Sequence, residues 1–193
     1  EGRWETEGGM WLEADCNLAG GEALVRQLLH GKEYFRKEFG KDNRILWLPD
    51  VFGYSAALPQ ILKKSGIDYF MTTKLSWSEY NKTPYDTFMW KGLDGSEVLT
   101  HFIPTRDLVG DEHHSLTHFT TYNGDITPMQ IAGGWNRFQQ KGLDNQFLVS
   151  YGFGDGGGGP TEKMLEYQRR MAHQLPGMPR TRPSTARKFF EEL

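Results

Sequence analysis

The sequence predicts an α/β fold in which helices flank a mostly parallel sheet. Two short apolar runs, at 44–49 and 146–151, lack the polar alternation of a half-exposed strand and are typical of strands buried on both faces. Segments whose apolar residues recur every three or four positions follow these runs and indicate helices. The 193 residues show no internal repeat and no linker of biased composition, so we predict a single domain, 1–193.

The first half of the chain is predicted to form a helix followed by a strand–helix–strand unit. A helix is predicted over 18–39, where leucines and aromatic residues share one face and Gly40 follows. The strand at 44–49 comes next, then a helix over 56–65 and a second strand over 67–72. Because a helix between two strands is the usual crossover connection, these two strands are predicted to pair in parallel.

A hairpin interrupts this pattern near 87–103. Apolar segments flank the pair Asp94 and Gly95, and Asp-Gly is a strong turn signal between two strands. The next stretch, 104–127, shows no sustained period, and a connection of that length in a folded domain is commonly a functional loop. We predict that this stretch forms the wall or lid of a site.

Helices and one strand are predicted for the C-terminal third. A helix over 128–141 precedes the strand at 146–151, and a further helix over 160–173 has its proline in the first turn. A last helix, over 183–193, is predicted to begin after an N-cap at Ser184. The alternation of strands and helices along the chain favours the α/β class.

Composition excludes several classes of function. The 22 basic and 25 acidic side chains give a net charge of −3, which does not fit a sequence-independent nucleic-acid binder. No run of about 18 apolar residues is present, so no membrane partner is expected. The one cysteine, Cys16, is predicted to be buried. Because it cannot form an internal disulfide, a reducing, cytoplasmic compartment is predicted.

Two aspartates stand just after predicted strands, where ligands bind in open α/β sheets. Asp50 follows the strand at 44–49, and Asp155 lies in the glycine-rich loop 151–160, whose six glycines allow a ligand to approach the backbone. Either aspartate would equally suit a helix N-cap or a turn. Because the loop lacks the Gly-Lys-Ser/Thr ending of a phosphate-binding loop, a polyhydroxylated ligand fits it better than a nucleotide.

Histidines and aromatic residues give two further hypotheses. His113, His114 and His118 lie close together. The four-residue spacing of the last two suits a divalent metal if the segment is helical, and a solvated polar loop is the alternative. Phe52 and Trp77 lie near predicted strand ends, where their rings would either stack on a sugar or fill the core.

Several strings along the chain resemble one known family. WLPDVFGYS and FGDGGGGPT are highly specific, and GGMWLEADCNLAGGEALVRQLLHGKEYF, TTKLSW and HFIP occur in the same order as in that family. The chain resembles the middle of the catalytic α/β domain of the family 38 glycoside hydrolases, the α-mannosidases. Tyr54 stands where Golgi and lysosomal members carry histidine, so the chain is more similar to the cytosolic and bacterial branch.

The resemblance implies a retaining, metal-dependent α-mannosidase that releases terminal α-mannosyl residues from glycans or oligosaccharides through a covalent mannosyl-enzyme. Asp50 would be both the nucleophile and a zinc ligand. Asp155 would be the acid/base residue or a substrate contact, since the Golgi pattern has two adjacent aspartates where this sequence has one. Phe52 and Lys74 would bind the sugar near the nucleophile, and Trp77 is a further candidate for substrate binding.

The family's remaining zinc ligands, a His-x-Asp motif and a His-Asp pair, do not occur in the 193 residues. Asp50 is then the one family ligand in this chain for zinc, or for another divalent metal. We therefore expect the chain to be a fragment of a larger catalytic domain, to bind zinc weakly and to be inactive by itself. A homo-oligomer of the full-length protein is compatible with the sequence.

Two other functions stay open at this point. A non-catalytic carbohydrate-binding module would use the same aromatic and glycine-rich surface without any chemistry at Asp50. A metal-dependent deacetylase-like hydrolase would instead be built on His114 and His118.

Overall fold

A four-stranded sheet forms the centre of the first of two units into which the chain separates. The computed structural model describes residues 4–78, 80–105 and 120–193. The first unit comprises Glu1–Lys74, Thr87–Phe102 and Thr185–Leu193, and the second comprises Leu75–Asp86 and Ile103–Ser184. The single domain expected over 1–193 stays a prediction.

The sheet is mostly parallel, as the sequence predicts. Its strands are β1 (Ile45–Trp47), β2 (Tyr69–Thr72), β3 (Thr87–Lys91) and β4 (Glu97–Phe102), in the order β1-β2-β4-β3. β1 and β4 each pair with β2 in parallel, whereas β3 pairs with β4 as an antiparallel hairpin. The register sets Leu46 opposite Phe70, and both side chains are fully buried. The α/β class and the hairpin near 87–103 are therefore confirmed.

The described residues form five α-helices. They are α1 (Gly21–Phe39), α2 (Leu58–Lys64), α3 (Pro128–Arg137), α4 (Glu162–Met171) and α5 (Ala186–Glu192). α1 ends at Gly40, whose φ of 64° supplies the predicted left-handed cap. α2 connects β1 to β2, so the predicted strand–helix–strand unit is present. Leu28 on α1 and Leu62 on α2 are fully buried, and burial of such a side chain contributes about 1.5–3 kcal/mol to stability.

α5 belongs to the first unit and begins two residues after the predicted cap. Thr185, rather than Ser184, is the N-cap, and its hydroxyl accepts the N–H of Lys188 at 3.2 Å. The correction is a shift of one residue in the cap, since either hydroxyl can satisfy a free N–H group of the first turn. Phe190 of α5 stacks on Tyr69 of β2, with ring centroids 5.1 Å apart, which attaches the helix to the sheet.

The second unit holds α3 and α4 around a small apolar core. Thr161 caps α4, and its hydroxyl accepts the N–H of Met164 at 3.3 Å. Pro160 therefore precedes the cap and does not occupy the first turn as predicted, because the threonine hydroxyl satisfies an N–H group of that turn. α3 ends at Arg137, before the predicted end of the helix. The core residues are Ile126, Ile131, Met164 and Met171.

Residues 146–151 do not form the predicted strand. Among pairs of described residues, the β pairing of this stretch is the isolated bridge between Tyr151 and Gly124. The four-stranded sheet does not include this stretch, and its side chains are half-buried rather than fully buried. Asp155 therefore follows a loop and not a strand of the sheet, which corrects the interpretation from sequence.

The remaining expectations concern burial, the long connection and membranes. Cys16 is 1% exposed, as predicted. The stretch 104–127, predicted to be a wall or lid, lies mostly outside the described residues. Across the part of the chain that the structure describes, no helix combines the length and the apolar character needed to cross a bilayer.

Candidate active site

Asp50 lies at the edge of the sheet where β1 and β2 both end. β1 ends at Trp47 and β2 at Thr72, and parallel pairing brings their carboxyl ends to one edge. Asp50 belongs to residues 48–54, here called the Asp50 segment, which leads from β1 towards α2. The Asp50 side chain is 34% exposed, so its carboxylate reaches the surface from a partly buried position.

Hydrogen bonds to β2 and its continuation hold the start of the Asp50 segment. The Leu48 N–H donates to the Met71 carbonyl at 3.1 Å, which continues the strand pairing by one residue. The Thr73 hydroxyl donates to the Pro49 carbonyl at 2.6 Å. A segment held in this way loses its conformational freedom on folding, before any ligand binds, which is the preorganisation that a reacting side chain needs.

Tyr54 closes the Asp50 segment onto its own first residue. Its hydroxyl donates to the Leu48 carbonyl at 2.9 Å and lies 2.6 Å from the Thr72 hydroxyl. Its ring packs edge-on against Phe70, with centroids 4.9 Å apart. Burial raises the pKa of the Tyr54 phenol well above its usual range, an effect that the hydrogen bond with Thr72 partly opposes. The phenol therefore stays protonated and remains a donor.

Lys74 forms an ion pair with Asp50. Its ammonium contacts Asp50 Oδ1, and this oxygen is shielded from solvent. The lysine side chain is only 11% exposed, so water screens the pair weakly. The same ammonium lies 4.5 Å from the centre of the Phe52 ring, a cation–π distance, and Phe52 is 72% exposed. The structure thus brings together three residues that the sequence singles out, Asp50, Phe52 and Lys74.

A second segment, residues 13–17, borders the Asp50 segment. Glu13 Oε1 accepts the N–H of Asp50 at 3.0 Å. Asn17 packs so closely on Gly53 that a Cβ at position 53 would overlap the asparagine amide. Sequence patterns around Asp50 do not indicate these contacts, because they join residues far apart in the chain. The string WLEADCN, which carries part of the family resemblance, is the one signal that could have found them.

Asp155 belongs to the second unit and lies in the glycine-rich loop. Phe153 and Gly159 close this loop with two backbone hydrogen bonds of 2.8 Å. Asp155 has a φ of 52°, in the left-handed region that non-glycine residues seldom adopt. The Tyr122 hydroxyl donates to Oδ1 at 3.2 Å, and the Asn123 amide donates to Oδ2 at 3.5 Å. Asp155 is exposed, and the hydrogen bonds to its two carboxylate oxygens orient the side chain.

The structure defines the surroundings of the other predicted site residues less closely. Trp77 ends the 3-10 helix Lys74–Trp77, belongs to the second unit and is 42% exposed, so its contact with a sugar stays a prediction. The predicted metal ligands His113, His114 and His118 lie outside the described residues. Within residues 4–78, 80–105 and 120–193, no group of three or more His, Cys, Asp or Glu side chains is placed to hold a metal ion.

Comparison with known proteins supports the family that the motifs suggest. The family model "Glycosyl hydrolases family 38 N-terminal domain" matches residues 1–193. Over 192 residues, covering 100% of this chain, identity is 44% to Alpha-mannosidase 2C1 of Homo sapiens and 41% to Alpha-mannosidase G of Dictyostelium discoideum. The chain spans 17% of the first relative and 16% of the second, about one sixth of their length.

The fold also occurs in a solved bacterial protein. The crystal structure of an alpha-mannosidase from Enterococcus faecalis V583 matches with a TM-score of 0.67, over 96% of this chain and 20% of that chain. Its sequence identity is 14%, so this likeness shows the fold alone. With the family model matching from end to end and two relatives above 40% identity, the chain belongs to the glycosyl hydrolases of family 38, within their N-terminal domain.

Proposed function

We propose that this chain forms part of the catalytic domain of a retaining α-mannosidase, which releases terminal α-mannosyl residues from glycans or oligosaccharides. The observation that carries the proposal is the Asp50 carboxylate. It is half-buried at the carboxyl edge of a parallel sheet, paired with Lys74 and next to the exposed ring of Phe52. Relatives named Alpha-mannosidase 2C1 and Alpha-mannosidase G support α-mannosides as the substrate class.

Asp50 acts as the nucleophile in this proposal. Because Oδ1 is shielded against Lys74, attack on the anomeric carbon falls to Oδ2. As the bond from Oδ2 to carbon forms, the bond from that carbon to the departing oxygen breaks, and an acid protonates this oxygen. Water, deprotonated by the conjugate base, then attacks the same carbon and breaks the ester bond. Two inversions release mannose with its configuration retained.

Lys74 positions the nucleophile and compensates its charge. The ammonium is largely shielded from water, where a positive charge is most effective against a neighbouring carboxylate. Contact with Oδ1 also restricts the rotation of the Asp50 side chain. The carboxylate therefore loses less entropy when it reaches the geometry of attack.

Further roles in the proposed reaction fall to Phe52 of the first unit and to Trp77 and Asp155 of the second. The exposed Phe52 ring offers a flat apolar surface for the sugar, and Trp77 has the same role. Asp155 protonates the departing oxygen and then takes a proton from water, or it accepts hydrogen bonds from sugar hydroxyls. The contacts that Tyr122 and Asn123 make with its two oxygens orient it for either role.

Zinc, or another divalent metal, is proposed as the cofactor because of family membership. Asp50 would supply one carboxylate ligand, and the bound ion would contact sugar hydroxyls. The described residues do not by themselves complete a zinc site, since such a site needs at least three protein donors. No step of the reaction is therefore assigned to the ion.

We also propose that the full-length protein acts in the cytoplasm, on α-mannoside glycans. The branch resemblance and the single cysteine, Cys16, favour the cytoplasm. The partner is the α-mannoside glycan, and a net charge of −3 does not favour nucleic acid. A homo-oligomer of the full-length protein would leave the roles of Asp50 and Lys74 unchanged.

The test is hydrolysis of an aryl α-mannoside by the full-length protein. Wild type is compared with Asp50→Asn, each with a chelator and with added zinc, and circular dichroism checks that both are folded. We expect wild type to release the phenol only when zinc is present. Asp50→Asn should lose at least about 10³-fold in kcat, because the nucleophile is gone.

Other outcomes would point to other functions. A wild type that binds mannosides without turnover would be a carbohydrate-binding module. Full activity after His114 and His118 are both replaced by alanine would exclude the deacetylase-like hydrolase. The 193-residue chain by itself is expected to show no turnover. Zinc-dependent hydrolysis by this chain alone would contradict the expectation that it is an inactive part of a larger catalytic domain.

A further inference from the structure

We infer that Glu13 is a positioning residue for Asp50, whose carboxylate fixes the peptide plane from which the proposed nucleophile projects. The inference rests on the proposed function of Asp50 and deepens it. Its starting point is a contact between two residues that are 37 positions apart in the sequence.

The peptide bond between Pro49 and Asp50 is held at both of its polar atoms. The Pro49 carbonyl accepts the Thr73 hydroxyl at 2.6 Å, and the Asp50 N–H donates to Glu13 Oε1 at 3.0 Å. β1 ends at Trp47, so strand pairing does not supply this acceptor. Two hydrogen bonds on opposite sides of one planar group fix its rotation about the chain. They thereby set the direction in which the Asp50 side chain leaves the backbone.

Glu13 lies in a segment that is itself anchored. The Trp11 N–H donates to the Gln27 carbonyl of α1 at 2.9 Å, and the Leu12 N–H donates to Gln27 Oε1 at 3.0 Å. Beyond Glu13, the Asp15 carboxylate accepts the N–H groups of the residues two and three positions further on, at 2.8 Å each. The backbone is therefore defined on both sides of Glu13, and its carboxylate can act as a fixed acceptor.

Two substitutions at Glu13 distinguish a hydrogen-bond acceptor that positions Asp50 from a negative charge that acts directly on the substrate. Glutamine at position 13 keeps an oxygen at the same reach, although a neutral acceptor binds an N–H less strongly than a carboxylate does. Alanine removes the acceptor altogether. A direct contact of the Glu13 charge with the sugar or with a metal would instead be lost in both variants.

The experiment measures kcat and KM of the full-length protein on an aryl α-mannoside. Glu13→Ala should lower kcat on the order of 10-fold with little change in KM, because the attacking group is displaced while the sugar contacts remain. Glu13→Gln should stay within about threefold of wild type. Glu22→Ala is the matched control, since Glu22 is an exposed glutamate on α1 that pairs with Arg26, and its kcat should equal that of wild type.

Amide hydrogen exchange over residues 48–54, measured by mass spectrometry, gives a readout that does not depend on activity. The Asp50 amide should be protected in wild type and in Glu13→Gln, and should exchange faster in Glu13→Ala. Equal protection in all three proteins, or an equal loss of kcat in both variants, would overturn the positioning role. A wild type without mannosidase activity but with faster exchange in Glu13→Ala would overturn the proposed function and uphold the contact.

Discussion

Asp50 and Asp155 share one sequence pattern, an aspartate shortly after an apolar run, and two different kinds of structure hold them. The Asp50 segment adjoins β1 and is bonded to the end of β2 through Thr73. Asp155 follows a loop in the part of the chain that the structure describes, and backbone hydrogen bonds between Phe153 and Gly159 close the glycine-rich loop around it. The sheet supports the first carboxylate, and a local turn of the backbone supports the second.

This difference predicts how each region responds to substitution. Side chains from other segments hold the backbone beside Asp50, so changes at distant positions should reach it. The backbone at Asp155 depends on left-handed conformations within its own loop, where Gly152 and Gly156 have φ values of 117° and 80°. Changes inside that loop should therefore act through backbone strain.

Replacing either aspartate should give the largest effects on activity. The two replacements should differ in how strongly the effect depends on the leaving group of the substrate. Asp50→Asn should lower kcat at least about 10³-fold on phenyl and on dinitrophenyl α-mannosides alike, because the proposed nucleophile is needed whichever group departs. Asp155→Asn should lower kcat by about 10²–10⁴-fold on the phenyl substrate. The loss of kcat should be smaller on the dinitrophenyl substrate, since a good leaving group departs without a proton. Equal losses on both substrates would make Asp155 a substrate contact.

The ion pair of the Asp50 region should give the next largest effect. Lys74→Met removes the positive charge beside the shielded Oδ1 and frees the carboxylate to rotate, so kcat/KM should fall by about 10²-fold. Lys91→Met is the control, because Lys91 is 65% exposed and pairs with Glu97 on the surface. If both variants keep the wild-type kcat/KM, the Lys74 pair has no part in the reaction.

Tyr54→Phe should lower stability more than activity. Loss of the hydroxyl leaves the Leu48 carbonyl without its donor, at a cost of about 1–2 kcal/mol in the free energy of unfolding. Because the pKa of Tyr54 is raised in the folded state, the unfolded phenol ionises first as pH rises past its ordinary value near 10. The wild-type free energy of unfolding should fall above that pH more steeply than that of Tyr54→Phe, as measured by denaturant titration. Parallel curves would contradict the burial of the phenol.

The smallest effect concerns the glycine-rich loop. A Cβ at Gly152 would lie 2.8 Å from the Pro160 nitrogen, whereas a Cβ at Gly156 would meet no atom within 4 Å. Both positions require positive φ, so both alanine variants are strained. Gly152→Ala should be the less stable by on the order of 1 kcal/mol, because it adds a clash with backbone. Thermal unfolding compares the two variants directly, and equal midpoints would contradict this account of the loop.

Local sequence patterns were sufficient to predict the class of the fold and most of its elements. The helix ending at Gly40, the strand–helix–strand unit and the hairpin near 87–103 all follow from spacing and turn signals within short windows. The predicted strand at 146–151 is wrong because a short apolar run does not by itself specify a strand, and the side chains of this run are half-buried rather than buried on both faces. Tyr151 forms a single bridge to Gly124 instead.

By itself, the sequence determined the family, the α/β class and the identities of Asp50, Phe52, Lys74 and Asp155 as candidate site residues. Only the tertiary structure decided which groups hold Asp50: the Lys74 ammonium, the Thr73 hydroxyl and the Glu13 carboxylate. The physical reason is that helix and strand patterns depend on neighbours a few positions away, whereas these contacts join residues 24 to 37 positions apart. Folding of the chain brings such groups together, and patterns within short windows of the sequence do not predict these contacts.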